Sequence, residues 1–583
     1  MAKVTVWAPH ARKIECENSG RLSAMARRDD GWWEADIPEI RHGADYAFRV
    51  DGEGPFPDPR SPWQPEGPHG PSRWVEHDRF DWTDSGWRQP PLGSAVIYEL
   101  HVGTFTPGGT FDSAIDRLEH LVDLGVTHVE LMPVAEFSGV RGWGYDGVDL
   151  YAPHSAYGGP DGLKRLVDAC HRRGLAVLLD VVYNHLGPSG NYLARFGPYF
   201  TERYATPWGE AVNLDGAESD EVRRFFIDNA LSWLRDYHMD GLRIDAVHAI
   251  VDTSATHFLE QMAAEVKELE AGLGRYLVLI AESDLNDPRV IRPVEIGGYG
   301  IDAQWNEDFH HALHTVLTGE SNGYYCDFGR LSDLAKVLTG AFAYDGCYSQ
   351  YRRRSHGRPA AGLSGRKFVA CLQNHDQVGN RALGERTSAL LSLSRLKIGA
   401  ALLMTSPFVP MLFQGEEWGA SAPFLYFTDH RDPALGEAVR QGRRHEFAAF
   451  GWSPEKIPDP QSPETFKKSV LDWSERETGS HVELLDWHRS LLALRRSVSA
   501  LRDGRMEQIS VRFDEDERWL LMERGAVVVA VNFSDTGRRI FLPGIAGARC
   551  ALASERGVVA DERGVFLPPE SVAVFVHDIR SGI

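Results

Sequence analysis

Charged and hydrogen-bonding side chains cluster at the ends of short apolar runs in this 583-residue chain, and their types narrow the chemistry. Residues 176–182 carry Asp180 and lead into Asn184 and His185. Residues 242–247 carry Arg243 and Asp245, and residues 277–281 end against Glu282. Residues 301–305 end in Trp305, residues 368–372 lead into Asn374, His375 and Asp376, and residues 409–413 lead into Gln414, Glu416 and Glu417. Carboxylates with Arg, His and nearby aromatics suit two chemistries, divalent-metal binding and glycosidic cleavage. Metal sites of this style usually have more His, or carboxylates spaced i, i+2 or i, i+4 on one element. Here Asp245, Glu282 and Asp376 each belong to a different run. Arg243 precedes Asp245 by two residues, and the period of a strand puts both on one face, where the guanidinium holds the carboxylate ionised and oriented, as a nucleophile requires. Glu282 follows Leu279, Ile280 and Ala281, an apolar setting that raises a carboxyl toward the range of a general acid. One ionised and one protonated carboxyl divide the labour of glycoside cleavage, and adjacent strands would hold them about 5–5.5 Å apart, the retaining separation.

Such groups meet only if the runs are neighbours. From residue 95 onward, apolar runs (95–100, 128–132, 176–182, 242–247, 277–281, 301–305, 368–372, 409–413) alternate with amphipathic stretches (113–124, 162–173, 221–237, 257–270, 331–339, 388–404, 482–496, and a weaker one at 288–294). Gly125, Gly174 and Gly241 follow three of these stretches, where a helix ends in a left-handed residue. Continuous apolar strands alternating with helices mean a parallel sheet buried on both faces. Eight repeats favour a closed (β/α)8 barrel over an open sheet, and neither a GxGxxG nor a GxxxxGK[ST] motif points to a nucleotide. A barrel gathers its reactive groups at the carboxyl ends of its strands, where these residues lie.

Short alternating runs in the first 85 residues predict a β-sandwich, followed by Pro-rich linkers at residues 55–71 and 90–91. After Ser499 the runs 527–533, 539–542 and 571–576 predict a second sandwich, so the expected units are 1–90, 91–499 and 500–583. With 43% hydrophobic and 25% charged residues the chain can bury a large core. Its 62 Lys+Arg against 83 Asp+Glu leave a charge of −21, which excludes nucleic acid or an anionic membrane as the main partner. The basic knot of Arg352, Arg353, Arg354, His356 and Arg358 is too short to reverse this. Six cysteines without a CxxC pair fit reduced thiols. The beginning of the chain lacks a secretory apolar stretch, and residues 399–413 are too short and too Pro-broken to span a bilayer, so a cytoplasmic location is expected. Trp63, Trp143, Trp208 and Trp418 lie in Gly/Pro-rich stretches, where rings that stack on sugars are expected.

The stretches Asp180-Val-Val-Tyr-Asn184-His185, Gly241-Leu-Arg243-Ile-Asp245-Ala-Val-His248, Glu282 and Asn374-His375-Asp376 resemble, in order and spacing, the four signature stretches of the α-amylase family of glycoside hydrolases. The resemblance runs from about residue 95 to 490. It implies Asp245 as nucleophile, Glu282 as acid/base and Asp376 as a third carboxylate that holds sugar hydroxyls. Arg243, His185 and His375 would line the sugar site at the reacting carbon, Tyr145 would stack on that ring, and Asp180 and Asn184 would be structural supports. Ordinary α-amylases carry Lys-His three and four residues after the nucleophile; here His248 and Ala249 stand there, which weighs against simple starch hydrolysis. The opening Val6-Trp7-Ala8-Pro9-His10-Ala11 is similar to that of branching, debranching and trehalose-releasing members. Residues 98–105, 142–147, 151–158, 245–250 and 373–380 are similar to the last group. The resemblance therefore implies a hydrolase that takes maltooligosyltrehalose, cleaves the α-1,4 bond beside its terminal trehalose and releases trehalose, with no cofactor or metal. Trp208, Tyr325, Tyr351 and Arg352 are the candidate walls for the trehalose. The alternative is a 1,4-α-glucan branching enzyme, with the same barrel chemistry directed to a glucan acceptor.

Overall fold

The structure is a computed structural model, and it describes residues 2–206, 209–448 and 456–577. Eight parallel strands close into a barrel in chain order: β1 (Ile97–Leu100), β2 (His128–Leu131), β3 (Ala176–Val181), β4 (Gly241–Ile244), β5 (Val278–Ala281), β6 (Ala303–Trp305), β7 (Phe368–Cys371) and β8 (Val409–Phe413), which pairs back to β1. All eight apolar runs are barrel strands. Alternate residues fill the lumen, among them Ile97, Leu178, Ile280, Trp305, Val369 and Met411, and the rest face the helices. Gly241 opens β4 because a Cβ there would stand 2.4 Å from the Val278 carbonyl oxygen. That close approach sets the β4–β5 register, Arg243 beside Ile280, and with it the height of the site.

Helices Gly159–Arg172, Ser219–Asp236, Phe258–Leu273, Leu331–Gly340, Leu393–Thr405 and Gly479–Ser497 match predicted stretches. Two expectations are corrected and one helix is added. Residues 113–124 are two helices, Phe111–Ile115, with a capping box between Thr110 and Ser113, and Leu118–Leu124. Residues 288–294 form turns that run into the short 3-10 turn Val294–Ile296, as Pro288 and Pro293 interrupt a continuous helix. The added helix is Glu307–Thr318, which precedes Leu331–Gly340 between β6 and β7; its Phe309, Ala312, Leu313, Val316 and Leu317 repeat at helical spacing.

Two antiparallel sheets precede the barrel and two follow it. The first sandwich packs on the excursion after β3 through Trp7 against Tyr199 (5.5 Å) and Phe48 against Phe196 (6.2 Å). The Pro-rich linker is fastened by Arg60, which donates to Asp228 (2.8 Å) and Tyr151 (3.0 Å). The C-terminal sandwich is tied to the barrel helices by the buried Lys397, which donates to the Ser554 carbonyl oxygen (3.0 Å). Trp418 is corrected from a sugar platform to a core residue, fully buried against Trp473. The six cysteines are free.

Beneath the barrel, His171 is held between Asp84, in the segment leading to β1 (2.8 Å), and Asp240 (2.9 Å), with Trp87 stacked on its ring. Burial lowers the His171 pKa, but the hydrogen bonds to Asp240 and Asp84 outweigh it and the net shift is upward. Burial likewise raises Asp84 and Asp240, yet His171 brings both below the ordinary carboxylate value. The histidine's contribution is complete below its unfolded pKa of about 6.5 and is lost as pH rises through the higher folded value. The carboxylates' contribution is complete above about 3.9 and is lost as pH falls through their lowered values. His171→Ala is therefore expected to destabilise the fold by about 3 kcal/mol. Denaturant unfolding should show the deficit largest between about pH 4 and 6.5 and shrinking on either side; a deficit independent of pH would rule out the ion pairs as its source.

Candidate active site

Arg243 is the hub. Its side chain is completely buried at the carboxyl end of β4, with the guanidinium 4.1 Å from the centre of the Trp305 ring. Nη1 donates to Asp180 Oδ2 (2.6 Å) and Asp245 Oδ1 (2.9 Å), and Nη2 donates to Glu282 Oε2 (2.7 Å). Asn184 Nδ2 donates to the other Asp245 oxygen at 2.7 Å. Glu282 Oε2 also accepts the backbone N–H of Ala246 at 2.7 Å. Ala246 reaches it from a left-handed conformation, φ 40° and ψ 52°, strained for alanine, which turns this N–H toward the neighbouring strand. One guanidinium thus grips both carboxylates, Asp245 through Nη1 and Glu282 through Nη2.

A second set of contacts brings in β1 and β7. Tyr145 donates to Asp180 Oδ2 (2.5 Å) and shares a hydrogen bond with His375 Nε2 (2.7 Å), their rings stacked at 5.1 Å. His375 Nδ1 pairs with Glu99 (2.5 Å), and its Nε2 stands 3.5 Å from Asp376 Oδ2. An unbroken chain thus runs from Glu282 through Arg243, Asp180, Tyr145 and His375 to Asp376. Asn374 aims the last of these, its Oδ1 accepting the N–H groups of Asp376 (3.0 Å) and Gln377 (3.1 Å). Gly144, at φ 97°, precedes Tyr145 because a Cβ there would lie 2.2 Å from the Pro133 carbonyl oxygen.

The electrostatics follow from burial and charge. Burial raises the Glu282 pKa and Asp245 adds to the rise, against the pull of Arg243 and the Ala246 N–H. Burial raises Asp180 to about 7 despite Arg243. For His375, burial works downward but Asp376 and Glu99 outweigh it and lift the imidazole to about 9. Burial lowers His185 to about 4, and its Nε2 donates to the Tyr145 carbonyl oxygen (2.9 Å).

Asp245, Glu282, Asp376, Tyr145, His185, Arg243 and His375 therefore come together. Tyr351, half exposed, and Arg352 lie on a hairpin (Asp345–Ser349 with Arg354–Gly357) ahead of β7. Arg352 Nη1 donates to Asp284 (3.0 Å), two residues past Glu282, and so joins the hairpin to the cleft rim. Tyr325 is corrected: it is 6% exposed, its hydroxyl bonded to His310 (2.9 Å) and its ring stacked on His314. Successive side chains of the 3-10 turn Gly323–Asp327 point about 120° apart, and Tyr324 is the ring left exposed. Trp208 lies outside the described residues. Glu417, expected near the site, is turned out of it and bonded to Tyr98 and His120. Glu99, the Ala246 N–H and Glu307 were not anticipated. Burial, followed by Glu282, Asp284 and Asp376, pushes Glu307 well above the carboxylate range. A cavity of about 480 Å³ opens on the Tyr145 side, lined by Trp143, His185, Phe200, Tyr426 and His430 among others. Among the described residues, no cluster of three or more His, Cys, Asp or Glu is arranged to hold a metal ion.

A closed parallel barrel with carboxylates beyond β4, β5 and β7 defines a glycoside hydrolase of the α-amylase type, and residues 73–205 match the family described as "Alpha amylase, catalytic domain". Residues 505–574 match a domain of unknown function, DUF3459. The chain is 54% identical to the malto-oligosyltrehalose trehalohydrolase of Arthrobacter ramosus, over 90% of this chain and 92% of that protein. It is 48% identical to the enzyme of that name from Rhizobium sp. (strain M-11), over 98% and 96%. A solved protein from Salmonella typhimurium assigned as an alpha amylase superposes with a TM-score of 0.90 at 38% identity, covering 99% of this chain and 97% of that one. The branching enzyme GlgB of Corynebacterium jeikeium is more distant, 29% identical over 71% of this chain and 60% of that protein. The chain belongs to the malto-oligosyltrehalose trehalohydrolase family.

Proposed function

We propose that this protein hydrolyses, with retention, the α-1,4-glucosidic bond between the glucan chain and the terminal trehalose of maltooligosyltrehalose. The observation that carries the reading is the grip of one buried guanidinium on Asp245 and Glu282. The sugar on the glucan side of the bond stacks on Tyr145, between His185 and His375. Asp245 attacks its anomeric carbon; the bond to the leaving oxygen breaks as Glu282 gives that oxygen its proton, and trehalose departs neutral. A water then attacks the glycosyl ester on the anomeric carbon, losing its proton to Glu282 and freeing Asp245. Asp376, beside the charged His375, holds the sugar hydroxyls. The glucan extends into the cavity beyond Tyr145, and the trehalose faces Asp284, Arg352 and Tyr351.

Incubation with maltooligosyltrehalose is expected to release trehalose, while amylose keeps its iodine colour. Loss of the colour without trehalose would favour the branching alternative, which the lower identity to GlgB makes weaker. Arg352→Ala is expected to raise KM for maltooligosyltrehalose about tenfold, the scale of one charged hydrogen bond, with kcat within about twofold; an unchanged KM would exclude Arg352 from the trehalose side. A cytoplasmic location belongs to the same reading. It is supported by the free cysteines and by the lack, among the described residues, of any helix long and apolar enough to cross a membrane. Cell fractionation tests it.

A further inference from the structure

The lumen holds a carboxyl that this reaction does not use. Glu130, on β2, is 1% exposed, and neither of its side-chain oxygens has a hydrogen-bond partner. The strand registers set it beside Glu99 of β1 and beside Leu178 of β3, one inward-facing step below Asp180. The charged groups that face it are Glu99, Asp180, Arg243 and His375. Three more buried polar atoms of these lumen residues also lack partners: Asp180 Oδ1, Arg243 Nε and Trp305 Nε1.

Charge counting says which carboxyl keeps a proton. Glu99, Glu130, Asp180, Asp245, Glu282 and Asp376 stand against Arg243 and His375, so full ionisation would leave a surplus of negative charge in a closed space. A buried charge without a partner is the most costly of these. Glu99 has His375, Asp180 has Arg243 and Tyr145, and Asp245 has Arg243 and Asn184. Glu130 has no donor at all. Buried polar atoms that lack a direct partner are served by internal water, which typically makes about three hydrogen bonds.

We propose that Glu130 is a positioning residue: a neutral carboxylic acid whose hydroxyl, with Arg243 Nε, donates to one buried water that in turn donates to Asp180 Oδ1. The arrangement holds the guanidinium level with Asp245 and Glu282. An ionised Glu130 would instead compete for the guanidinium and draw it down the lumen. Burial, reinforced by Glu99 and Asp180, pushes Glu130 well above the carboxylate range, in agreement with the geometry. The inference rests on the reading of the cleft given above.

Two variants test it. Glu130→Gln keeps a neutral donor, so kcat for trehalose release is expected within about twofold of the parent, with both limbs of the pH profile of kcat/KM unmoved. Glu130→Leu removes the donor, and kcat is expected to fall about tenfold or more with a displaced alkaline limb, as Glu282 loses its fixed partner. A Gln variant that moves either limb or falls as far as the Leu variant would overturn the proposal, as would a Leu variant with the parent's kcat and profile. Should Glu130→Leu fail to fold, the infrared difference between parent and Glu130→Gln at neutral pH decides. A protonated-carboxyl band present only in the parent is expected, and its absence would overturn the proposal. If the parent releases no trehalose, the reading of the cleft fails, while the infrared comparison still reports on Glu130.

Discussion

Asp245→Ala is expected to lower kcat/KM for trehalose release by about 10⁵-fold, roughly 7 kcal/mol of transition-state stabilisation, while the fold survives. No neighbour can take over the attack. Asn184 offers only an amide, and Asp180 is buried with one oxygen committed to Arg243 and Tyr145. Nor does the substitution strand the buried cation, because Arg243 keeps Asp180 at 2.6 Å and Glu282 at 2.7 Å. The lost hydrogen bonds are offset by relief among crowded carboxylates, so the unfolding midpoint is expected to move by no more than about 3 °C. A small anion such as azide can enter the space vacated by the carboxylate and attack the anomeric carbon, and NMR should then find a glycosyl azide of inverted configuration. Parent-level activity in Asp245→Ala would reject the nucleophile, and a collapsed unfolding midpoint would mean that the lost activity reports folding.

What was legible beforehand had a repeating physical cause. Barrel strands are buried on both faces, so residues 278–281 or 409–413 read as unbroken apolar runs. The two-residue spacing of Arg243 and Asp245 follows from the strand period, and the pair stands 2.9 Å apart. Features without a period stayed hidden. The left-handed turn at Ala246 leaves no mark in an alanine, and which of Tyr324 and Tyr325 faces outward depends on how a single 3-10 turn sits. The Arg352–Asp284 bond joins positions 68 residues apart. For Glu99 and Glu130 a signal was present: each is a charge within an otherwise apolar barrel strand, a placement that costs too much to persist without a use. The helix Glu307–Thr318 carried a signal as well: Phe309, Ala312, Leu313, Val316 and Leu317 fall at helical spacing, with His310, His311 and His314 between them.

Glu282→Gln is expected to lower kcat on maltooligosyltrehalose by about 10³-fold, within the range that general acid catalysis contributes. The amide oxygen can still accept from Arg243 Nη2 and the Ala246 N–H, so the substitution removes the proton and leaves the scaffold. Trehalose leaves as an alcohol and needs that proton. Fluoride does not, so α-maltosyl fluoride should lose far less in the first step, and the variant should accumulate the glycosyl-enzyme because water then lacks its base. The pH dependence carries a definite sign. Burial and Asp245 raise the Glu282 pKa, and the protonated form is the active one, so kcat/KM falls as pH rises through that raised value. Asp245→Asn, which removes one cause of the rise, should move this limb to lower pH in its residual activity. The competing owner of the limb is His375, held charged up to about 9 by Asp376 and Glu99. Comparing substrates in the parent separates the two: a limb present with maltooligosyltrehalose and absent with the fluoride belongs to Glu282, whereas a limb of equal size with both belongs to His375 and the acid assignment fails.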